Sequence, residues 1–154
     1  TVADSRPDQR MGGAVSLMLR HGLGQGVVAQ SDYRYYQDDW DVEAHSLALG
    51  LLRSQGNWQW AANARWYSQS QAGFYAPFYA TARSDGLATS DYRLSPFGAI
   101  SVGLDVKRLI GPWTLGAGLG WYKASDDYAL GKVEVANPGL VSWLNGHLRV
   151  SRSY

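Results

Sequence analysis

The chain has no cysteine, little excess charge and no long apolar segment, and each absence excludes a class of protein. Without cysteine there is neither a disulfide framework nor a thiolate metal site. The formal net charge of +1 gives no reason to expect a nucleic-acid partner. No apolar run approaches the ~20 residues of a transmembrane helix. No signal peptide is recognisable either, which predicts a mature, processed or truncated chain.

The residues that are abundant favour strands. At 154 residues the chain is expected to form a single domain, 1–154, large enough for a small barrel. The 18 Gly, 7 Trp and 10 Tyr suit tightly turning strands and membrane-interface belts better than a helical core. A mean hydropathy of -0.28 is typical of soluble proteins. A transmembrane β-barrel has a similarly low value, because every second residue faces water.

The last twelve residues, from Trp143, alternate with a period of two. Leu144, Leu148 and Val150 share one face, and polar side chains such as Asn145 occupy the other. This pattern predicts a β-strand that has a different solvent on each side. A strand of this kind ending on an aromatic residue resembles the C-terminal assembly signal of bacterial outer-membrane barrels. The resemblance implies the barrel-assembly machinery as a partner.

Six earlier segments show the same alternation, and most are long enough for a tilted membrane span. Trp113 and Trp121 share a face eight residues apart, which is roughly 20 Å along a membrane normal. We therefore predict an aromatic girdle of Trp58, Trp66, Trp113, Trp121 and Tyr154; tryptophans of a soluble sheet are the alternative. The predicted strands are Met11–His21, Val27–Tyr36, Val42–Arg53, Trp58–Gln71, Pro96–Arg108, Trp113–Lys123 and a last strand from about Leu140.

The opposite face of these strands is polar and is predicted to line a watery lumen. Its charges have mixed signs, which favours a network of pairs across strands. An excess of Arg and Lys would instead bias a pore towards anions. The predicted lumen-lining residues are Arg20, Asp32, Arg34, Asn63, Arg65, Asp105, Lys107, Asn145, His147 and Arg149. His147 is expected to have no acidic residue nearby and so no catalytic partner.

The connections alternate between short and long, as expected for a barrel with periplasmic turns and outer loops. Residues 22–26, 54–57 and 110–112 are short and contain glycine. Of the outer connections, 72–93 and 124–139 are long, and 37–41 is short. Seven strands is an odd number, which predicts the C-terminal part of a larger barrel. The alternative is an eighth strand hidden in Ala72–Arg93 or Thr1–Arg10.

Two clusters were weighed for chemistry. Asp38, Asp39 and Asp41 offer three carboxylates in one turn, a weak candidate for a hard cation; a solvated acidic turn without metal is favoured. Ser68 or Ser70, with His45 and an Asp of that turn, would suit a hydrolase at the outer rim. Parity places His45 and both serines on the lipid face, which argues against catalysis.

The densest aromatic run is Phe74-Tyr75-Ala76-Pro77-Phe78-Tyr79 in the long outer connection. Phe74, Tyr75, Phe78 and Tyr79 are candidates for a constriction or for binding sugar or a partner by stacking. Equally, they would suit the lipopolysaccharide interface. Tyr92 and Arg93 are expected to pack under this loop.

Several segments spread over the chain carry a family resemblance. They are Arg6–Arg10, Tyr33–Trp40, Ala44–Ser46, Arg65–Tyr75 and Ser90–Ser95. Together they resemble an uncharacterised proteobacterial outer-membrane β-barrel family, catalogued as domain of unknown function 3570. The resemblance implies the C-terminal part of a longer outer-membrane protein and supplies no activity.

The sequence thus predicts an all-β, antiparallel transmembrane β-barrel in the outer membrane of a Gram-negative bacterium. We expect it to be non-enzymatic and to act as a porin-like channel or as a scaffold for another cell-envelope protein. Outer-membrane lipid and lipopolysaccharide are the expected surroundings, and no cofactor is expected. The alternatives are an outer-membrane hydrolase and a soluble all-β binding domain.

Overall fold

The computed structural model describes residues 3–134 and 136–153, which contain seven β-strands and two short 3-10 turns. The turns are Tyr92–Leu94 and Asp126–Tyr128, and no helix in the described residues is long and apolar enough to cross a membrane. The strands are β1 (Gly12–Gly24), β2 (Val27–Asp38), β3 (Glu43–Gln55), β4 (Trp58–Gln69), β5 (Phe97–Ile110), β6 (Trp113–Ser125) and β7 (Ser142–Arg152).

All seven strands lie where the alternation predicted them, with ends that differ by a few residues. The prediction that the fourth strand extends to Gln71 was wrong, because the chain leaves the ladder after Gln69. There the Ser70 hydroxyl accepts a hydrogen bond from the Glu43 amide at 2.8 Å and donates one to the Asp41 carbonyl at 3.1 Å. The Ser70 side chain thus makes hydrogen bonds to the backbone that a further residue of β4 would otherwise make.

The strands form one antiparallel sheet in the order β1-β2-β3-β4-β5-β6-β7. The predicted all-β antiparallel fold is confirmed, but the described strands do not close into a ring. No eighth strand lies in residues 72–93 or 3–10. Those segments contribute only single bridges, Ser5 with Ala88 and Tyr75 with Thr89.

The register keeps the two faces separate across the whole sheet. Side chains of directly opposed residues lie on the same face, so apolar residues of one strand meet apolar residues of the next. One such row contains Leu19, Ser31, Leu49, Ala64, Val102, Trp121 and Leu144. The sheet therefore has one apolar face and one polar face.

The two ends of the sheet also differ. At one end, called the turn end, three connections are reduced to tight turns at 25–26, 56–57 and 111–112. Gly26 illustrates why these turns need glycine: its φ is 75°, and a Cβ would lie 2.1 Å from the Ser54 carbonyl oxygen.

At the other end, the longer connections fold together into a cap, comprising residues 3–11, 39–42, 70–96, 126–134 and 136–141. The cap contains the buried hydrophobic cluster of the described chain, with Trp40 and Leu87 packed at its edge. The buried members of the cluster are Val42, Ala72, Phe74, Tyr75 and Leu94. The folded core thus lies at one end of the sheet, not on either face.

Candidate functional site

The apolar face is exposed along all seven strands. Leu49, Leu104 and Leu148 in its middle are 52%, 63% and 87% exposed, and no second sheet covers them within residues 3–134 and 136–153. Water-soluble proteins rarely expose a contiguous apolar patch of more than a few hundred Å². An apolar face of this extent is typical of a surface that contacts a membrane or another protein.

Aromatic and basic side chains border the apolar face at the turn end. Trp58 and Trp60 stack with ring centroids 5.7 Å apart, and the Arg108 guanidinium lies 4.9 Å from the Trp58 ring. The Arg152 guanidinium lies 5.5 Å from the ring of Trp113. Aromatic rings beside long cationic side chains are typical of a membrane interface, where a ring sits at headgroup level and a cation reaches water.

This border crosses the strands obliquely. Arg53 on β3, Arg108 on β5 and Arg152 on β7 are each displaced two residues towards the turn end relative to the previous one. Trp66 on β4 and Trp121 on β6 show the same displacement at the cap end. Two residues span ~6.6 Å along a strand, and two strand spacings span ~9.6 Å across the sheet. The border therefore makes an angle of about 35° with the perpendicular to the strands.

The four described girdle residues Trp58, Trp66, Trp113 and Trp121 all lie on the apolar face, and Tyr154 is outside the described residues. Trp66 is partly covered, because its indole Nε1 donates a hydrogen bond to the Tyr128 carbonyl at 2.8 Å. No sequence pattern indicates this contact, which joins residues 62 positions apart.

The ten predicted lumen-lining residues all lie together on the polar face. Large polar side chains lie over glycines of the neighbouring strand. A Cβ on Gly103 would lie 2.8 Å from the Asn63 amide, and one on Gly120 would lie 2.4 Å from that of Asn145. Small residues therefore create the room that the polar side chains occupy on this face.

The prediction that His147 has no nearby acid was wrong. Its Nε2 lies 3.2 Å from an Asp105 carboxylate oxygen, although β6 separates their strands. Gly118 lies between them, and a Cβ there would come within 2.6 Å of the Asp105 carboxylate. The two side chains meet because this position has no side chain. Within the described part of the chain, this is the one contact of 4 Å or less between an acidic and a basic side chain among the ten residues.

The acidic turn at 38–41 is structural. The fully buried Asp38 carboxylate accepts hydrogen bonds from the Arg10 guanidinium, the Tyr36 hydroxyl and the Trp40 and Val42 amides. Asp39 accepts one from the Met11 amide at 3.0 Å. No group of three or more His, Asp or Glu side chains within residues 3–134 and 136–153 is placed to hold a metal ion.

His45 and Ser68 are opposed on β3 and β4, on the apolar face near the cap. They line a cavity of about 660 Å³ beneath cap residues 75–77 and 129–134. The His45 Nδ1 is 2.7 Å from the Tyr33 hydroxyl, and the buried Ser68 hydroxyl accepts a hydrogen bond from the Leu130 amide at 2.7 Å. Asp38 belongs to the opposite face, and within the described residues no hydrogen bond joins His45 or Ser68 to an aspartate of the 38–41 turn.

The aromatic run at 74–79 is divided between the inside and the outside of the cap. Phe74 and Tyr75 are buried in its hydrophobic cluster, and Phe78 is 75% exposed. The Tyr79 hydroxyl donates to the Phe74 carbonyl and accepts a hydrogen bond from the Thr89 amide at 2.9 Å. Phe78 is thus the member of this run that presents an open apolar surface. Of the two residues expected to pack beneath it, Tyr92 is 45% exposed, and Arg93 extends to Asp91.

A substitution at Gly98 tests how the cap is attached to the apolar face. A Cβ there would lie 2.0 Å from the Tyr128 carbonyl carbon, and this backbone cannot rotate away as a side chain would. We expect Gly98→Ala to detach residues 126–134 and to destabilise the protein by about 1–3 kcal/mol. Faster hydrogen exchange at the Leu130 amide would report the detachment.

Gly13→Ala is the matched control, because a Cβ at Gly13 meets no atom within 4 Å. Equal exchange rates at Leu130 in wild type and Gly98→Ala would contradict the contact between the cap and Gly98.

The loop at 83–87 should be sensitive to acid. The Arg83 side chain and the Leu87 amide hydrogen-bond to the Asp85 carboxylate and lower its pKa to about 2. A lowered pKa in the folded state means that the stabilisation is complete above pH ~4 and is lost as the pH falls towards 2. Arg83 also donates a hydrogen bond to the Gly73 carbonyl at 2.9 Å. When protonation of Asp85 releases the Arg83 side chain, residues 83–87 should therefore loosen from the rest of the cap.

Hydrogen exchange of residues 83–87 should therefore increase between pH 4 and pH 2, once corrected for intrinsic exchange rates. Asp85→Asn should show the increase already at neutral pH. An acid-induced increase of unchanged size in that variant would assign the effect to another group.

The segments that carry the family resemblance converge on the cap. Arg6 reaches the Asp91 carboxylate at 3.6 Å, and Arg10 reaches Asp38 at 2.8 Å. Gln69 donates to the carbonyls of Arg93 and Ser95 at 2.9 and 2.7 Å. Residues far apart in the sequence are thus tied to one another at one end of the sheet.

The chain matches a known family model. Residues 1–142 match the sequence model of a family described as "Protein of unknown function (DUF3570)". No curated protein and no solved structure matches the chain.

Proposed function

The chain belongs to the DUF3570 family, and from the two faces of its sheet we propose that it forms part of the wall of a transmembrane β-barrel in the outer membrane of a Gram-negative bacterium. In this arrangement the apolar face contacts lipid, the polar face lines a watery interior, and the cap lies at the outer end. The protein acts without catalysis, as a channel or as a scaffold for another envelope protein.

The observation that carries the proposal is the oblique border of the apolar face. Transmembrane strands tilt by about 35–45° from the membrane normal, so the line of an interface deviates by that angle from the perpendicular to the strands. The lines of aromatic and basic residues deviate from this perpendicular by about 35°. A soluble sheet has no physical reason to arrange its aromatic residues along two parallel oblique lines.

The height of the apolar band supports the same conclusion. Trp58 and Trp66 lie eight residues apart, as do Trp113 and Trp121. Eight residues extend ~26 Å along a strand, or roughly 22 Å along the normal at this tilt. That approaches the apolar band of about 25 Å in outer-membrane barrels.

The direction of the edge strands constrains how the barrel closes. In an antiparallel sheet of seven strands, β1 and β7 run in the same direction. A ring in which every neighbour is antiparallel therefore needs an odd number of additional strands between them. Two copies inserted in the same orientation would place β7 beside a parallel β1. We infer that the missing strands come from the same protein or from a different partner.

The surroundings follow from this placement. Lipid contacts the apolar face, and lipopolysaccharide contacts the region around the cap, where Phe78 is exposed. The barrel-assembly machinery inserts the sheet, since its exposed edges have to be paired as it enters the bilayer.

Fractionation of cells that produce the protein tests the location. The protein should sediment with the dense outer membrane, resist urea extraction and dissolve in detergent. A protein recovered in the soluble fraction and monomeric without detergent would refute the membrane proposal in favour of a soluble binding domain.

Conductance in planar bilayers then separates the two roles. Stable single-channel steps support the channel, and their absence from a correctly inserted protein supports the scaffold. Co-purification with a second envelope protein under mild detergent is the positive test of the scaffold.

A further inference from the structure

We propose that the polar face binds small anions in two adjacent clefts, each walled by tyrosine and arginine side chains. The ligand class is a molecule that carries a carboxylate or phosphate on a flat body. This inference rests on the proposed function in one respect, since it takes the polar face to be the side that meets dissolved solutes.

The clefts arise from a repeated pattern on alternate strands. The sequence Asp32-x-Arg34-x-Tyr36 on β2 matches Asn63-x-Arg65-x-Tyr67 on β4, and each places three side chains in a line on the polar face. On β6, Tyr122 takes the position of the tyrosine. The strands between carry small residues there: Ala44, Ser46 and Ala48 on β3, and Ala99 and Ser101 on β5.

Large side chains on alternate strands with small ones between them leave two grooves. The first cavity has a volume of about 220 Å³ and is lined by Arg34, Tyr36, Ala44, His45, Ser46, Arg65 and Tyr67; the side chain of His45 belongs to the apolar face. The second, also about 220 Å³, is lined by Arg65, Tyr67, Phe97, Ala99, Ser101 and Tyr122. Arg65 and Tyr67 form the wall that the two share.

Both clefts lie at one depth. From Tyr36 to Tyr67, and again from Tyr67 to Tyr122, the position moves two residues towards the turn end over two strands. This displacement equals that of the aromatic border on the apolar face. The three tyrosines are thus at the same depth in the membrane. Arg34 and Arg65 each lie two residues closer to the turn end than the tyrosine on the same strand.

The charges identify the ligand class. Arg34 and Arg65 have no carboxylate partner among residues 3–134 and 136–153; the Arg65 Nε donates to the Ser46 hydroxyl at 2.9 Å. The ten predicted lumen-lining residues include five Arg and Lys side chains and two Asp side chains, an excess of three cations. A guanidinium binds carboxylate or phosphate through two parallel hydrogen bonds, and a tyrosine ring packs against a flat body.

Binding of phenyl phosphate to the purified protein in detergent tests the proposal. Saturable binding should be detected by ligand-observed NMR, with phenol as the neutral comparison. The double variant Arg34→Gln, Arg65→Gln should bind phenyl phosphate at least about tenfold more weakly, through the loss of two charged donors. The control Arg20→Gln, Arg149→Gln removes the same charge from the same face outside the clefts and should bind nearly as wild type does.

Three results would overturn the proposal: no saturable binding to wild type, equal binding by the cleft variant, or equal weakening in the control pair. The last result would mean diffuse attraction rather than a site. If the glutamine variant fails to fold, Arg34→Lys with Arg65→Lys keeps the charge but loses the planar donors, and should still weaken binding severalfold.

The outcome is separate from that of the proposed function. Fractionation determines whether the protein is in the outer membrane, and the binding assay works on purified protein in either case. A soluble protein that binds phenyl phosphate in these clefts would refute the membrane location and keep the site.

Discussion

Replacing Ala62 with arginine should destabilise the protein in a bilayer by about 2–4 kcal/mol, because Ala62 lies midway between Trp58 and Trp66 on the apolar face of β4. The arginine would place its charge near the middle of the hydrocarbon, where a charge is least tolerated. Urea titration of the protein folded into lipid vesicles, followed by tryptophan fluorescence, measures the change in the free energy of unfolding.

The matched control is the following residue. Asn63 is on the same strand and at the same depth, but its side chain lies on the polar face over Gly103. We expect Asn63→Arg to change the free energy of unfolding by less than about 1 kcal/mol, as a lumen substitution should. The difference between two neighbouring residues isolates the solvent from the local strand propensity.

Equal effects of the two substitutions would contradict the assignment of the faces. In a soluble protein both side chains would face water, and both arginines should change the stability by less than about 0.5 kcal/mol. The pair therefore also discriminates between a membrane wall and a soluble sheet.

The strands and their faces could be predicted from the sequence because they depend on local alternation. A period of two, interrupted by glycine-containing turns, specifies where each strand lies and which side chains share a face. Antiparallel neighbours joined by tight turns then leave little freedom in the register. The sequence of β7, with Leu144, Leu148 and Val150 on one side, already contains this information.

The cap could not be predicted, because it depends on contacts between distant residues. The Asn137 amide donates to the Tyr75 hydroxyl at 2.6 Å across 62 positions, and no periodicity connects them. Three aspartates in one turn suggested a metal or a solvated loop. Their positions in the sequence did not reveal that Arg10 approaches from 28 positions away.

The pair of Asp105 and His147 shows a third kind of limit. Alternation places both residues on the polar face, but they lie on β5 and β7, with β6 between them. Gly118 allows the contact, since a side chain at that position would occupy the space between them. Glycines in the polar face therefore carry information about which distant side chains meet.

Asp38→Ala should produce the largest loss of stability in the cap, about 2–4 kcal/mol. The substitution removes the acceptor of the Arg10 guanidinium, the Tyr36 hydroxyl and the backbone amides of Trp40 and Val42, and leaves these donors without a partner at a buried site. Asp39→Ala is the control, because Asp39 is exposed and accepts one hydrogen bond, from the Met11 amide. It should cost no more than about 1 kcal/mol.

Asp38→Asn keeps the shape and the acceptor for the amides but removes the charge that faces Arg10, so its effect should be intermediate. The free energy of unfolding and the hydrogen exchange of residues 70–96 measure all three variants. A turn that served only to display solvated carboxylates would lose the same small amount of stability in Asp38→Ala and Asp39→Ala, whereas a structural Asp38 separates them by at least about 1 kcal/mol.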